Sequence, residues 1–207
     1  MLPEPSISPF PTRSVFLLAG HKPPDWRAAY SPYLAPVGRL TLIERLIAQI
    51  QRIGSEPYVV STDQRLIDLA NLYVCPKKPN PTFAEQIYAT KRSWRNRVYI
   101  LRADAYYTEW AMDTIFSTIL PSFSFGPLNV WGFSFRRDCY EDVLRGLEDT
   151  LEYCPSEPLM EIVGRIEKRG VEMELVQFVD GSFQVKNVLQ LMECQEELKQ
   201  NYRRKRR

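Results

Sequence analysis

One glycine-ended apolar run and the basic loop behind it carry the residue types that bind phosphate. Ser14-Val-Phe-Leu-Leu-Ala-Gly20 is followed by His21, Lys22 and Arg27. A glycine lets the backbone approach an anion, loop N–H groups point at it, and a nearby cation neutralises it. Ala19, Gly20, His21, Lys22 and Arg27 are the candidate nucleotide cradle, and Lys22 and Arg27 are the candidate catalytic cations; an ordinary charged surface loop is the alternative. Asp104 lies just past the apolar run 98–101, and Asp180 stands before Gly181 at the end of a second such run. Carboxylates from two strand ends hold a Mg²⁺ ion against a triphosphate. A helix cap at Asp104 and an Asp-Gly turn at Asp180 are the plainer alternatives.

The chemistry is narrowed by what is scarce. His21 is the single histidine, which excludes H-E-x-x-H zinc hydrolysis and leaves a Ser-His or Cys-His nucleophile possible only through that residue. It reads as a loop contact rather than a general base. Cys75, Cys139, Cys154 and Cys194 form no C-x-x-C pair, so they read as reduced thiols of a cytoplasmic protein. Mg²⁺, carboxylates and basic side chains remain, and phosphoryl transfer needs little more than positioning and charge neutralisation.

These residues need a scaffold that puts strand ends side by side. Apolar runs at 14–19, 57–61 and 98–102 read as strands. Helical spacing marks 41–53, with Gly54 as a stop, and also 63–72 and 82–94, the last with Thr82 and Glu85 in capping-box spacing. The alternation predicts a three-layer α/β/α arrangement on a mostly parallel central sheet. Farther on, 129–135 and 171–179 read as strands, and 138–153, 159–169 and 185–202 as helices. The proline-rich residues 1–13 form an extended lead-in, 14–202 a single domain, and 203–207 a basic tail.

With 207 residues, 44% hydrophobic and 25% charged, the chain has an ordinary soluble composition and enough length for one core. No apolar stretch approaches the ~20 residues that cross a bilayer. The tail reads as a solvated helix end; contact with nucleic acid or another anionic surface is the sharper alternative.

Residues 14–62 resemble the N-terminal part of the sugar-phosphate nucleotidyltransferase superfamily. That family opens with an apolar strand, L-A-A-G-x-G-T-R, then P-K-x-L-x-P-V-x-G and a helix. Leu17-Leu-Ala-Gly20 and Leu34-Ala-Pro-Val-Gly38 match, and Arg27 can stand for the motif arginine. Val98-Tyr-Ile-Leu-Arg-Ala-Asp104 resembles the family's strand ending in Gly-Asp, with 106–115 as the following helix. The resemblance implies a GT-A-like fold. It also implies a Mg²⁺-dependent reaction that moves a nucleoside monophosphate from a nucleoside triphosphate to a phosphorylated small molecule, with phosphate on Gly20 and Arg27 and metal on Asp104.

The departures are specific. The second loop glycine and the Thr-Arg pair are missing, Ser31-Pro-Tyr33 replaces the lysine-bearing stretch, and Ala103 precedes the metal-type aspartate. Gln184-Val-Lys-Asn-Val188 occupies the segment of the late acidic motif, which leaves Asp180 about four residues early. These losses keep a second expectation open: a relative that binds nucleotide or sugar without catalysis, as a sensor or an assembly partner. A glycosyltransferase ranks last, because Ala103-Asp104-Ala105 has one acid where Asp-x-Asp has two. If a side chain fills the cleft beneath Gly20, the catalytic reading fails.

Overall fold

The computed structural model describes residues 13–20, 26, 31–126, 129–156, 158–177, 182–185, 187, 189–192 and 195–196. His21, Lys22, Arg27, Asp180, the lead-in up to residue 12 and the basic tail lie outside these residues.

The chain begins with β1 (Arg13–Leu18), a strand whose apolar residues are all buried. A hairpin of β2 (Pro36–Val37) and β3 (Leu40–Thr41) turns at Gly38, whose φ of 75° suits glycine. Helix α1 (Leu42–Arg52) starts with a full capping box, Thr41 and Glu44 bonding reciprocally. Then come β4 (Pro57–Val60), α2 (Gln64–Ile67), β5 (Leu72–Val74) and α3 (Phe83–Ala89). Next are β6 (Arg97–Arg102), β7 (Ala105–Tyr106), α4 (Glu109–Ser117), β8 (Ser122–Gly126) and β9 (Asn129–Arg136). Helices α5 (Tyr140–Tyr153) and α6 (Leu159–Lys168) precede β10 (Glu174–Gln177) and β11 (Phe183–Gln184).

The seven-stranded sheet has the order β10-β8-β9-β6-β1-β4-β5. Only β9 runs against its neighbours, so the sheet is mostly parallel as expected. Side-chain alternation divides the core in two. Val15, Leu17, Tyr99 and Leu101 pack on one face against Ile43, Leu46 and Ile50 of α1 and Met112 and Ile115 of α4. Phe16, Leu18, Val98 and Ile100 pack on the other face against Ile87, Val143, Leu147, Ile162 and Ile166. The outcome is a three-layer α/β/α architecture with β1 and β6 buried on both sides.

Several boundaries differ from the expected ones, each because a tertiary pairing takes residues from a local pattern. The helix expected over 63–72 stops at Ile67, since Leu72–Val74 pairs with β4 as the edge strand. The helix over 82–94 keeps its capping box but tightens into a 3-10 turn at Thr90–Ser93. The helix over 106–115 starts at Glu109, because Ala105 and Tyr106 pair with Gln184 and Phe183. The strand over 171–179 is ordered as strand only at Glu174–Gln177 among the described residues. β8 was not anticipated, although Ser122-Phe-Ser-Phe125 alternates as a strand does.

Candidate functional site

The chain leaves β1 toward β4 and β5 on one side and returns to β6 on the other. The carboxyl ends of β1 and β6 therefore flank a switch of direction, where open α/β sheets bind ligands. Ala19 and Gly20 follow β1 at this edge, and Ala103 and Asp104 follow β6. The β6 loop is tied to β1, with Ala103 N–H donating to Leu18 C=O at 3.1 Å, and the β1 loop is tied to β4, with Ala19 N–H donating to Val60 C=O at 2.9 Å. A cavity of about 230 Å³ opens beside the β1 loop, walled by Ala19, Gly20, Tyr33, Ser61, Asp63 and Asn80 among others. That is smaller than the ~300 Å³ at which ordinary ligand pockets begin. At its rim Arg65 holds Asp63 through two bonds of 3.0 and 2.7 Å. The Arg65 hydrogen bond keeps the Asp63 carboxyl below its ordinary pKa.

Gly20 is where the sequence places it, but its N–H is not offered to an anion. It donates to Gln86 Oε1 at 2.9 Å, and Gln86 is fully buried. A Cβ on Gly20 would come within 2.8 Å of Pro81 Cγ, so glycine is needed here for close packing. Gln86 and Pro81 thus pack against one side of Gly20, while the cavity opens on another.

Asp104 lies at the expected strand end, yet it is buried and engaged. Arg102 Nε donates to Oδ1 at 2.9 Å and Arg102 Nη2 to Oδ2 at 2.7 Å, a two-pronged guanidinium–carboxylate contact. Gln184 Nε2 adds a third donor to Oδ2 at 2.9 Å. The pair is 7% and 3% exposed at its side chains. Burial opposes the charge on Arg102, but the adjacent Asp104 charge and hydrogen bonds outweigh it and raise the guanidinium pKa. The Arg102 Cζ also lies 4.6 Å from the centre of the Phe83 ring, a cation–π contact. Below it, burial pushes the Tyr107 hydroxyl pKa well up, and this hydroxyl donates to the Trp131 carbonyl at 2.9 Å.

A divalent ion needs several oxygen ligands with free lone pairs. The described residues do not supply them at Asp104. Both carboxylate oxygens meet N–H groups, the neighbouring charge is already positive, and Gln184 presents a donor. Among the described residues no group of three His, Cys, Asp or Glu is placed to hold a metal. The expected Mg²⁺ role of Asp104 thus meets a carboxylate whose charge is neutralised within the protein, and its expected partner Asp180 lies outside the described residues, with His21, Lys22 and Arg27. Arg102 and Gln184 were missed as site residues. The signal for Arg102 was its spacing: two residues before Asp104, it shares one side of the chain where β6 ends. Gln184 was visible only as the occupant of the late acidic segment.

A larger open cleft of about 520 Å³ lies at the opposite sheet edge, against Arg136, Asp138 and Glu174. It holds none of the expected residues.

Comparison with known proteins identifies the fold. No family pattern matches the chain and no curated sequence matches it. Among solved structures it is similar to CTP:phosphocholine cytidylyltransferase from Streptococcus pneumoniae. The TM-score is 0.69 at 12% identity, over 90% of this chain and 99% of that one. It is similar also to a provisionally assigned glucose-1-phosphate thymidylyltransferase from Bacillus anthracis, in complex with a sucrose. Here the TM-score is 0.67 at 9% identity, over 90% and 95% of the two chains. The chain has the nucleotidyltransferase fold, at low sequence identity to these neighbours.

Proposed function

We propose that the protein is a divergent relative of the nucleotidyltransferases that binds a nucleotide or a sugar phosphate without transferring it, as a sensor or an assembly partner. The carrying observation is the closed Arg102–Asp104–Gln184 cluster at the end of β6. A buried carboxylate already paired with a guanidinium and an amide N–H is poorly disposed to hold a metal-bound triphosphate as well. The Gly20 N–H engaged by Gln86 supports the same reading. The ligand enters at the carboxyl edge of β1 and β4, with 14–202 acting as one domain. Nucleic acid is not the expected partner, and the basic tail is the feature that leaves it open.

A second reading is Mg²⁺-dependent transfer of a nucleoside monophosphate to a phosphorylated small molecule. The position of Asp104 at the carboxyl end of β6 and the likeness in fold to a cytidylyltransferase favour it. Thermal unfolding with a panel of nucleoside triphosphates, paired with pyrophosphate release in the presence of sugar 1-phosphates or phosphocholine, separates the two. A rise in melting temperature without pyrophosphate supports binding alone. Metal-dependent pyrophosphate release that disappears in Asp104→Asn establishes the transferase.

A further inference from the structure

The amino edge of the sheet, opposite the candidate ligand site, is basic along one half and acidic along the other. Arg13, Arg97 and Arg136 stand opposite one another on β1, β6 and β9, a row of like charges at the ~4.8 Å spacing of paired strands. Burial lowers the Arg97 pKa, and the Arg136 and Arg13 charges lower it further. Beside the row, Arg92, Arg95 and Arg137 are all exposed. Ser14 Oγ donates to Ser93 C=O at 2.8 Å, and Arg137 N–H donates to Asn96 C=O at 3.0 Å, so this basic stretch is fixed to the strand ends. Arg92, Arg95 and Arg137 form no ion pair among the described residues.

The acids lie toward β10. Asp138, Asp142, Glu172 and Glu174 wall the cleft of about 520 Å³, and Glu174 begins the strand at the margin of the sheet. The boundary between the halves falls at β9, with β10 and β8 on one side and β6 and β1 on the other. There Arg136 meets Asp138 at 2.6 Å. Ile119 and Leu120 stand at the same boundary. Their carbonyls accept from Arg97 at 2.5 and 2.8 Å, and Leu120 also walls the acidic cleft. The two residues are 75% and 54% exposed.

We propose that this edge is an interface between two copies of the chain, related by a two-fold axis near β9, with the arginine half of each copy on the acidic half of the other and Ile119 and Leu120 at the centre. A two-fold contact uses the same patch on both partners, so the patch must complement itself. An edge that changes sign about its midpoint does so after half a turn. The aliphatic pair supplies the apolar centre that a charged rim surrounds. A nucleic acid or an anionic bilayer would meet the arginines but would also press on the four acids, and like charges brought together oppose binding. The edge lies away from the candidate ligand site, so the proposal stands under either reading of that site.

Sedimentation velocity of the full chain at micromolar concentrations, in low and high salt, is the first test. The expected result is a dimer that dissociates as salt rises; a chain that stays monomeric throughout overturns the proposal. Two charge-reversed variants, Arg95→Glu/Arg137→Glu and Glu172→Arg/Glu174→Arg, change only exposed side chains, and circular dichroism checks that each is folded. Alone, each variant sets like charges against each other and is expected to raise the dimer Kd at least about tenfold. Mixed together, they are expected to restore the dimer, because each reversed half meets a partner of opposite sign. A dimer that either variant leaves intact, or that mixing does not restore, overturns the proposal. Cosedimentation with phosphatidylserine vesicles by a chain that remains monomeric also overturns it, and assigns the edge to a membrane surface instead.

Discussion

The backbone N–H of Gly20 donates to the side-chain oxygen of Gln86, 66 residues away in sequence, at 2.9 Å. The same carboxamide donates through Nε2 to the Pro81 carbonyl at 3.2 Å. One buried side chain thus fixes the loop after β1 to the turn before α3. Gln86→Leu removes both bonds and strands two backbone groups, with an expected destabilisation of about 1–3 kcal/mol. Gly20→Ala should cost a similar ~1–3 kcal/mol, through overlap with Pro81 and Gln86. Denaturant unfolding reads both, and a neutral Gln86→Leu would show that the bond contributes nothing.

The Arg102–Asp104 pair is expected to couple strongly. Arg102→Ala leaves a buried carboxylate unpaired and should destabilise by about 3–5 kcal/mol. Removing Asp104 as well should recover part of that loss, because the stranded charge is gone. A double-mutant cycle measures the coupling; additive losses would mean that the two side chains act independently despite their contact.

Gly132 in β9 is expected to tolerate no side chain. A Cβ there would lie 2.5 Å from the Ile100 carbonyl oxygen, a backbone atom of β6 that cannot turn away. Gly132→Ala should therefore cost at least about 3 kcal/mol, at the upper end of overpacking effects. Gly164, with nothing within 4 Å of where a methyl group would stand, is the control. Gly164→Ala lies inside α6 and should stabilise by ~1 kcal/mol through helix propensity.

The capping box of α1 gives a pH-dependent prediction. The Thr41 N–H bond, at 2.8 Å, holds the Glu44 carboxyl below its ordinary pKa of 4.5. A depressed carboxylate pKa contributes stability above the unfolded value and loses it as pH falls through the folded value. The stability difference between wild type and Glu44→Gln should be constant at neutral pH and fade on acidification below 4.5. A difference that persists at lower pH would mean that the charge is not what the cap uses.

Local signals carried most of the scaffold. The apolar runs of β1 and β6, the helix ending at Gly54 and the Thr82–Glu85 box are all short-range patterns, and the structure has each of them. The site was legible only in position. Asp104 stands at the strand end that its neighbours predict, but its chemistry depends on Gln184, 80 residues later, and no local period records such a pairing. The two-residue strands β7 and β11 were missed for the same reason, since each exists only through the other.

Gln184 has a consequence for the order in which the molecule is made. Strands β1, β4 and β6 and their covering helices are complete in sequence well before residue 184, and chains fold from the N-terminal side as they are synthesised. During that interval Asp104 and Arg102 have each other but lack the amide, and the Ala105–Tyr106 edge has no strand beside it. Arrival of β11 closes both gaps at once, burying Val185 and Leu191 against Trp26, Leu42 and Tyr106. The late segment acts as a clasp: a chain cut short of it would carry an assembled sheet with an unfinished carboxyl edge.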